Sequence, residues 1–137
     1  MRRAAVFALV LAVGVVLGLL ADRTLLNAQP SPASTILLKH DVTGFAGREG
    51  IIVETTIPVG GQSKWHHHPG GAYTYILSGE STLDIKGQQT ISRKTGDVSY
   101  IEGYVSHNAT NTGATPLRIL TVYVAEKGKP LTTYDNR

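Results

Sequence analysis

Short β-type segments separated by glycine-containing turns fill most of this 137-residue chain. Between residues 35 and 124, runs rich in Val, Ile, Thr and Tyr are interrupted by single or paired glycines. The predicted strands are 35–39, 51–57, 64–68, 73–78, 81–85, 89–92, 97–101, 107–111 and 117–124. Apolar residues in this part of the sequence do not follow a sustained helical period. The pattern predicts an all-β sandwich or barrel.

The last predicted strand, 117–124, carries apolar residues on both of its faces. Leu117 and Ile119 alternate along it with Leu120 and Val122. Because successive side chains of a strand point to opposite faces, this strand is expected to pack on both sides. One side would then face the core, and the other would lie at a contact between two copies, as in a homodimer.

The first 28 residues have the form of an export segment. Arg2 and Arg3 give a positive start, residues 4–21 are an unbroken apolar run, and a cleavage site is predicted after Ala28. The run is longer than an average signal core and slightly short of a membrane span, so residues 1–28 are either a signal peptide or a membrane anchor. The charge bias places the following domain outside in both cases. We expect an exported protein, periplasmic or secreted, or one anchored to the membrane by residues 4–21.

The rest of the chain divides into a Pro/Ser linker at 29–34, a β domain at 35–126 and a C-terminal tail at 127–137. The formal charge of +3 comes largely from the leader, since without residues 1–28 ten Lys and Arg face nine Asp and Glu. A nearly neutral domain without a basic stripe predicts no nucleic-acid partner. The chain has no cysteine, which excludes disulfides and thiolate metal ligands.

Histidines are concentrated at two places in the predicted strands: His66, His67 and His68 stand in a row, and His107 begins a later strand. On a strand, His66 and His68 share one face while His67 points to the other. Two imidazoles on one face and a third from a distant strand can hold a divalent metal ion. The alternatives are a solvated His-rich turn and a barrel whose histidines only fill polar interior space. We favour the metal site and expect His67 to lie at the surface.

Two spaced motifs carry a resemblance to a known family. They are Gly60-x5-His66-x-His68-x3-Ala72-x6-Gly79 and Gly96-x5-Glu102-x-Tyr104-x2-His107-x3-Asn111. Both resemble the paired motifs of small single-domain cupins, G-x5-H-x-H-x3-4-E-x6-G and G-x5-P-x-G-x2-H-x3-N. The resemblance implies a cupin-type jelly-roll β-barrel, often dimeric, with a metal inside the barrel mouth. It also implies that His66, His68 and His107 are the three histidine ligands.

The chain departs from the cupin motifs at three positions. Ala72 stands where the family has a glutamate ligand, Glu102 where it has proline, and Tyr104 where it has glycine. Proline and glycine shape the turn ahead of the third histidine, so their replacement bears on the geometry of that turn. Without a carboxylate, three imidazoles leave a divalent ion at its full charge, which favours anionic or chelating ligands. Glu102 is an alternative ligand or general base, against the simpler interpretation as a solvated turn residue.

Two classes of function fit these residues. The first is an exported cupin that binds divalent Fe, Mn, Ni, Cu or Zn and acts on a small-molecule substrate as a dioxygenase-like oxidoreductase. The second is a binding barrel without turnover, which holds the metal or, without metal, a small sugar-like ligand. No substrate-anchoring arginine is identified, because Arg93 and Arg118 are expected to lie outside the barrel. Since cupins include enzymes and binding proteins alike, we predict metal binding and leave activity open.

Overall fold

The computed structural model describes residues 31–135. These residues form ten β-strands and no helix, which confirms the predicted all-β class. The strands are β1 (Ala33–Asp41), β2 (Arg48–Ile57), β3 (His66–His67), β4 (Gly70–Ser78), β5 (Glu80–Ile85), β6 (Ile91–Lys94), β7 (Val98–Ile101), β8 (His107–Asn111), β9 (Leu117–Glu126) and β10 (Thr133–Tyr134). Within 31–135, therefore, no helix could cross a membrane. The predicted signal peptide or anchor at 1–28 lies outside the described residues.

The strands form two five-stranded antiparallel sheets. The first sheet has the order β1-β2-β9-β4-β7 and the second has the order β10-β3-β8-β5-β6. Neighbours within a sheet come from distant parts of the chain; β9, for example, lies between β2 and β4. The chain therefore crosses repeatedly between the sheets, as in a jelly roll. This topology places β3 and β8, which carry the predicted metal ligands, side by side in the second sheet.

All nine predicted strands are present, and their ends are shifted by up to three residues. β3 is shorter than predicted because Lys64 has a left-handed backbone conformation (φ 63°), which regular strands do not contain. β6 begins two residues later than predicted, after the turn at Gly87 (φ 81°). This strand carries Arg93 into the interior, so the expectation that Arg93 lies outside is wrong. Arg118 does lie outside and pairs with Glu54 at 2.8 Å.

Side chains from both sheets fill the interior. A larger apolar cluster contains Ile51, Val53, Ala72, Leu83, Ile85, Ile101, Tyr123 and Ala125, and a smaller one contains Ile57, Ile76, Ala109, Leu117 and Ile119. Burying a Leu or Ile side chain stabilises the folded state by about 1.5–3 kcal/mol. Polar side chains interrupt this core, among them the three predicted ligands, Arg93, Thr74 and Thr121. The candidate site is thus embedded in the core between the sheets.

The outer face of the first sheet carries exposed apolar side chains. Val122 and Val124 of β9 are 37% and 40% exposed, and Tyr73 and Tyr100 on β4 and β7 pack against each other with ring centroids 4.9 Å apart. β9 therefore carries apolar side chains on both faces; those on the inner face are buried, and Val122 and Val124 on the outer face are exposed. The homodimer expected through this face stays a prediction.

Candidate metal centre

Three histidines converge in the interior. His66 and His107 begin β3 and β8 and are paired in register, and His68 follows β3 on the same face as His66. One ring nitrogen of each histidine lies within 4.8 Å of the others. His66, His68 and His107 are only 8%, 4% and 3% exposed, and their ring centroids are 4.3 to 5.0 Å apart. The fold thus brings the three predicted ligands together.

Hydrogen bonds fix the orientation of each imidazole. Nδ1 of His66 donates to the carbonyl of Lys64 at 2.7 Å. Nδ1 of His107 donates to the carbonyl of Val105 at 2.9 Å. Nδ1 of His68 donates to the carbonyl of Leu131 at 2.8 Å. A carbonyl only accepts, so Nδ1 carries the proton in each ring and Nε2 keeps its lone pair. Histidines that bind a metal through one ring nitrogen typically donate a hydrogen bond from the other ring nitrogen, as Nδ1 does here.

The same three histidines are held neutral by burial. Burial lowers the pKa of His68 to about 3 and that of His107 to about 4, although the backbone hydrogen bond of each ring opposes this shift. Burial also lowers the pKa of His66. Positive charge on one imidazole would be unfavourable beside the other two. At neutral pH the cluster therefore offers three unprotonated nitrogens, which is the form that binds a metal ion.

We expect the metal-free protein to lose stability as the pH falls from about 6.5 to about 4. Histidines of the unfolded chain take up protons in this range (pKa about 6.5), whereas folded His68 and His107 stay neutral until about pH 3 and 4. The unfolded state then binds more protons, so the free energy of unfolding falls by on the order of 1 kcal/mol per pH unit and histidine. Urea denaturation at several pH values measures this. An unfolding midpoint that stays constant from about pH 7 to about pH 4.5 would contradict it.

The histidines line a small cavity of about 60 Å³. Ala72, on β4 of the opposite sheet, lines the same cavity and is 1% exposed. The side chain at the position where the family motif has glutamate therefore faces the histidines. No carboxylate lines the cavity among residues 31–135, and its one charged lining residue there is Arg93. Sequence reasoning missed Arg93 because β6 is a short edge strand whose other residues are exposed.

Close packing holds the backbone just after His68. A Cβ added to Gly70 would lie 2.0 Å from the carbonyl oxygen of Val124, which no side chain tolerates. Glycine at this position lets β4 start directly against β9. The neighbouring Pro69 carbonyl accepts a hydrogen bond from Glu126 N at 2.9 Å. The end of the histidine run is thereby attached to the first sheet.

Two other sequence candidates lie away from the cavity. His67 points away from its neighbours, as predicted, and its Nδ1 lies 3.4 Å from the Asp135 carboxylate. Glu102 is exposed, does not line the cavity, and accepts a hydrogen bond at 3.3 Å from Gly103 N. The structure thus assigns Glu102 to the turn, in agreement with the simpler of its two interpretations.

The turn before His107 keeps its shape without the glycine of the family motif. Tyr104 adopts φ 62°, a left-handed conformation that glycine reaches without strain. Two contacts hold the residue there: its N–H donates to the carbonyl of His68 at 2.8 Å, and its hydroxyl donates to Glu126 at 2.9 Å. The departures at 102 and 104 therefore leave the approach to His107 intact.

The segment predicted as a C-terminal tail returns to the site. β10 pairs with β3, placing Thr133 opposite His67 and Tyr134 opposite His66. The Asp135 carboxylate accepts a hydrogen bond from Ser106 Oγ, one residue before His107. Together with the Leu131 carbonyl on His68, these contacts place residues 131–135 beside all three histidines. Two-residue strands leave no periodic signal, so sequence analysis had no means of finding these contacts.

Removing residues 131–137 should lower metal affinity by about 10- to 100-fold, because His68 then loses the carbonyl that orients its ring. Isothermal titration of the deletion variant with a divalent metal measures the loss, and its melting curve shows that it is folded. A chain ending at Asp135 keeps Leu131 and β10 and is the matched control. Equal affinity in the two variants would show that the tail does not support the site.

Several solved structures share this fold. A protein with a double-stranded β-helix domain from Klebsiella pneumoniae is 20% identical (TM-score 0.63), over 81% of this chain and 88% of its own. A cupin-like protein from Thermotoga maritima is also 20% identical (TM-score 0.63), over 77% and 76%. A DMSP lyase from Ruegeria pomeroyi is 17% identical (TM-score 0.62), over 75% of this chain and 51% of its own. Sequence identities this low show that the proteins share a fold and give no information on a shared function.

Sequence comparisons give the family directly. No curated protein matches the chain. The family model described as a cupin domain matches residues 53–123, which is more than half of the chain and spans both histidine motifs. Together with the two-sheet jelly roll, this match confirms the resemblance noted in the sequence. The chain belongs to the cupin family.

Proposed function

We propose that this cupin binds one divalent transition-metal ion through His66, His68 and His107. The observation that carries the proposal is the hydrogen-bonded, buried and neutral histidine cluster: each Nδ1 is committed to a backbone carbonyl, and each Nε2 is free to coordinate. Imidazole ligands suit Fe, Ni, Cu and Zn, and Mn also fits the family resemblance. A bound ion would act as a Lewis acid and would lower the pKa of a coordinated water.

The cavity restricts what else can enter. Its volume of about 60 Å³ is well below the roughly 300–1,000 Å³ of pockets that enclose drug-sized ligands. A whole sugar ring does not fit beside the histidines, which counts against the sugar-binding alternative at this site. A small ligand, or the end of a larger one, fits. The uncharged polar side chains at the cavity wall opposite the histidines are Thr55, Thr74, Thr121 and Tyr123.

Metal analysis of the folded protein tests this function. The purified chain is stripped with a chelator, reloaded separately with Mn, Fe, Ni, Cu and Zn, desalted, and measured by elemental analysis. We expect about one ion per chain for at least one metal, as three-histidine sites hold a single ion. A metal content at background for all five would contradict the proposal.

The oxidoreductase alternative is tested on the same samples. One of the structurally similar proteins is a lyase, so the fold accommodates enzymes, and the proposal here stops at metal binding. Oxygen uptake by the Fe-, Mn-, Ni- or Cu-loaded protein in the presence of catechol-like or diketone compounds would establish turnover. Binding of such compounds without oxygen uptake would assign the chain to the non-catalytic class.

We also propose that the cupin domain works outside the cytoplasm. The support is the sequence of residues 1–28, with Arg2 and Arg3 ahead of the apolar run at 4–21. Fractionation of expressing cells, followed by N-terminal sequencing, tests this. A mature protein starting at Gln29 indicates a cleaved signal peptide, and an intact start in the membrane fraction indicates an anchor. Uncleaved protein in the cytoplasm would contradict export.

A further inference from the structure

Arg93 is buried, lines the histidine cavity, and forms hydrogen bonds through one of its three guanidinium nitrogens. It is 5% exposed and extends inward from β6, at the edge of the second sheet. Its Nη1 donates to Ser99 Oγ at 3.1 Å and to Thr74 Oγ1 at 3.4 Å. These two hydroxyls are themselves hydrogen-bonded at 2.6 Å. These hydrogen bonds fix the position of the guanidinium plane.

The remaining edge of the guanidinium is buried without a partner. Nε and Nη2 are covered and form no hydrogen bond with any atom of residues 31–135. Asp97 acts on Arg93 electrostatically, yet its carboxylate accepts from Lys94 N at 2.8 Å, and within the described chain Arg93 forms no ion pair. Burial lowers the pKa of Arg93 to about 10, so the side chain is still cationic at neutral pH. A buried cation with free donors is costly unless an anion meets it.

The side chains of β4 that contact Arg93 and face the histidines lie on the same side of the strand. Thr74, which contacts Arg93, and Ala72 are two residues apart on β4, so both side chains point to the same face. Both line the cavity, as do all three histidines. Arg93 and the three histidines therefore line one small cavity, and none of its described lining residues is an acid. A carboxylate side chain at position 72 would have supplied the counter-charge.

We propose that Arg93 makes this cavity an anion site, which takes a small carboxylate between the guanidinium and the metal. The inference rests on the proposed function and adds the chemical class of the ligand. Nε and Nη2 form the edge of a guanidinium that binds a planar carboxylate through two parallel hydrogen bonds. The volume of about 60 Å³ limits the part of the anion inside the cavity to a few heavy atoms, as in formate or acetate. This anion replaces the negative charge that Ala72 does not provide.

The test is acetate binding to the zinc-loaded protein. Titration calorimetry and the shift in melting temperature both measure this binding. We expect acetate and formate to bind to the zinc-loaded protein. Arg93→Met removes the guanidinium and keeps an unbranched apolar side chain; it should weaken acetate binding by at least about tenfold, the usual loss for a hydrogen bond to a charged group. Arg118→Met, on the outside of β9, is the matched control and should bind acetate like the wild type.

The outcomes separate this inference from the proposed function. Wild-type affinity for acetate in a folded Arg93→Met variant that still holds zinc would overturn the anion site and leave metal binding intact. Failure of acetate to bind the zinc-loaded wild type would also overturn the anion site and leave metal binding intact. If zinc does not bind at all, acetate is titrated against the metal-free protein. Binding that Arg93→Met abolishes would then support the anion site alone, and binding that it leaves unchanged would overturn it.

Discussion

Replacing His66 and His68 together by alanine is expected to reduce the bound metal from about one ion per chain to background. The two substitutions remove two of three nitrogens that lie within 4.8 Å of one another, and His107 alone cannot hold an ion. Elemental analysis of the reloaded, desalted variant measures the loss. Because both side chains are buried, the melting temperature is recorded in parallel to show that the variant is folded.

His67→Ala is the matched control for the double variant. It changes the same type of residue within the same run, but its side chain points outward to Asp135. We expect this variant to bind metal as the wild type does. Loss of metal in His67→Ala, or full metal content in the folded double variant, would show that the ion is held elsewhere.

Ala72→Glu is expected to increase metal retention by at least about tenfold. Mutating a hydrogen-bond partner of a metal ligand already changes metal affinity by about 10- to 100-fold, and a new ligand should have at least the lower of these effects. Ala72 faces the histidine cavity, so the new carboxylate would add a fourth ligand and a negative charge to a site without either. The rate of zinc release to a chelator measures retention. The small cavity makes the fit of the glutamate side chain tight, and the melting curve reports any strain.

Ala72→Gln has nearly the same size without the charge and separates coordination from crowding. We expect it to retain metal less well than Ala72→Glu. If the glutamate variant releases zinc no more slowly than the glutamine variant, then the added carboxylate does not reach the ion. An ion pair between this carboxylate and Arg93 would also keep the carboxylate away from the ion. In that case the double variant Ala72→Glu/Arg93→Met should release zinc more slowly than Ala72→Glu alone.

The all-β fold and the three ligands could be predicted from local pattern. Glycine turns and β-branched runs located nine of the ten strands in residues 31–135, β1 to β9, since alternation and turn residues are local signals. The spacing His-x-His put His66 and His68 on one face, because a strand repeats every two residues. His107 was predicted as the third imidazole from a distant strand, and the spacing of the second family motif supported it. Its register pairing with His66 is a contact between residues far apart in the chain.

Strand ends and short edge strands could not be predicted in the same way. The shift of β6 and the brevity of β3 depend on the turn conformations at Gly87 and Lys64, and the left-handed conformation of Lys64 is one that its residue type does not favour. For the same reason the sequence did not show that Arg93 is buried. β10 has two residues, and its partner β3 also has two. Such pairing exists only because the rest of the barrel holds both segments in place.

By itself, the sequence determined the β class, the cupin family, the three histidines and the absence of a glutamate at position 72, all of which follow from residue type and spacing. The tertiary structure alone decided what surrounds them: the Leu131 carbonyl behind His68, the burial that keeps the imidazoles neutral, and the guanidinium of Arg93 in the same cavity. These features join residues that are distant in the chain. Burial and contact between such residues depend on how the two sheets pack, and local sequence patterns do not encode that packing.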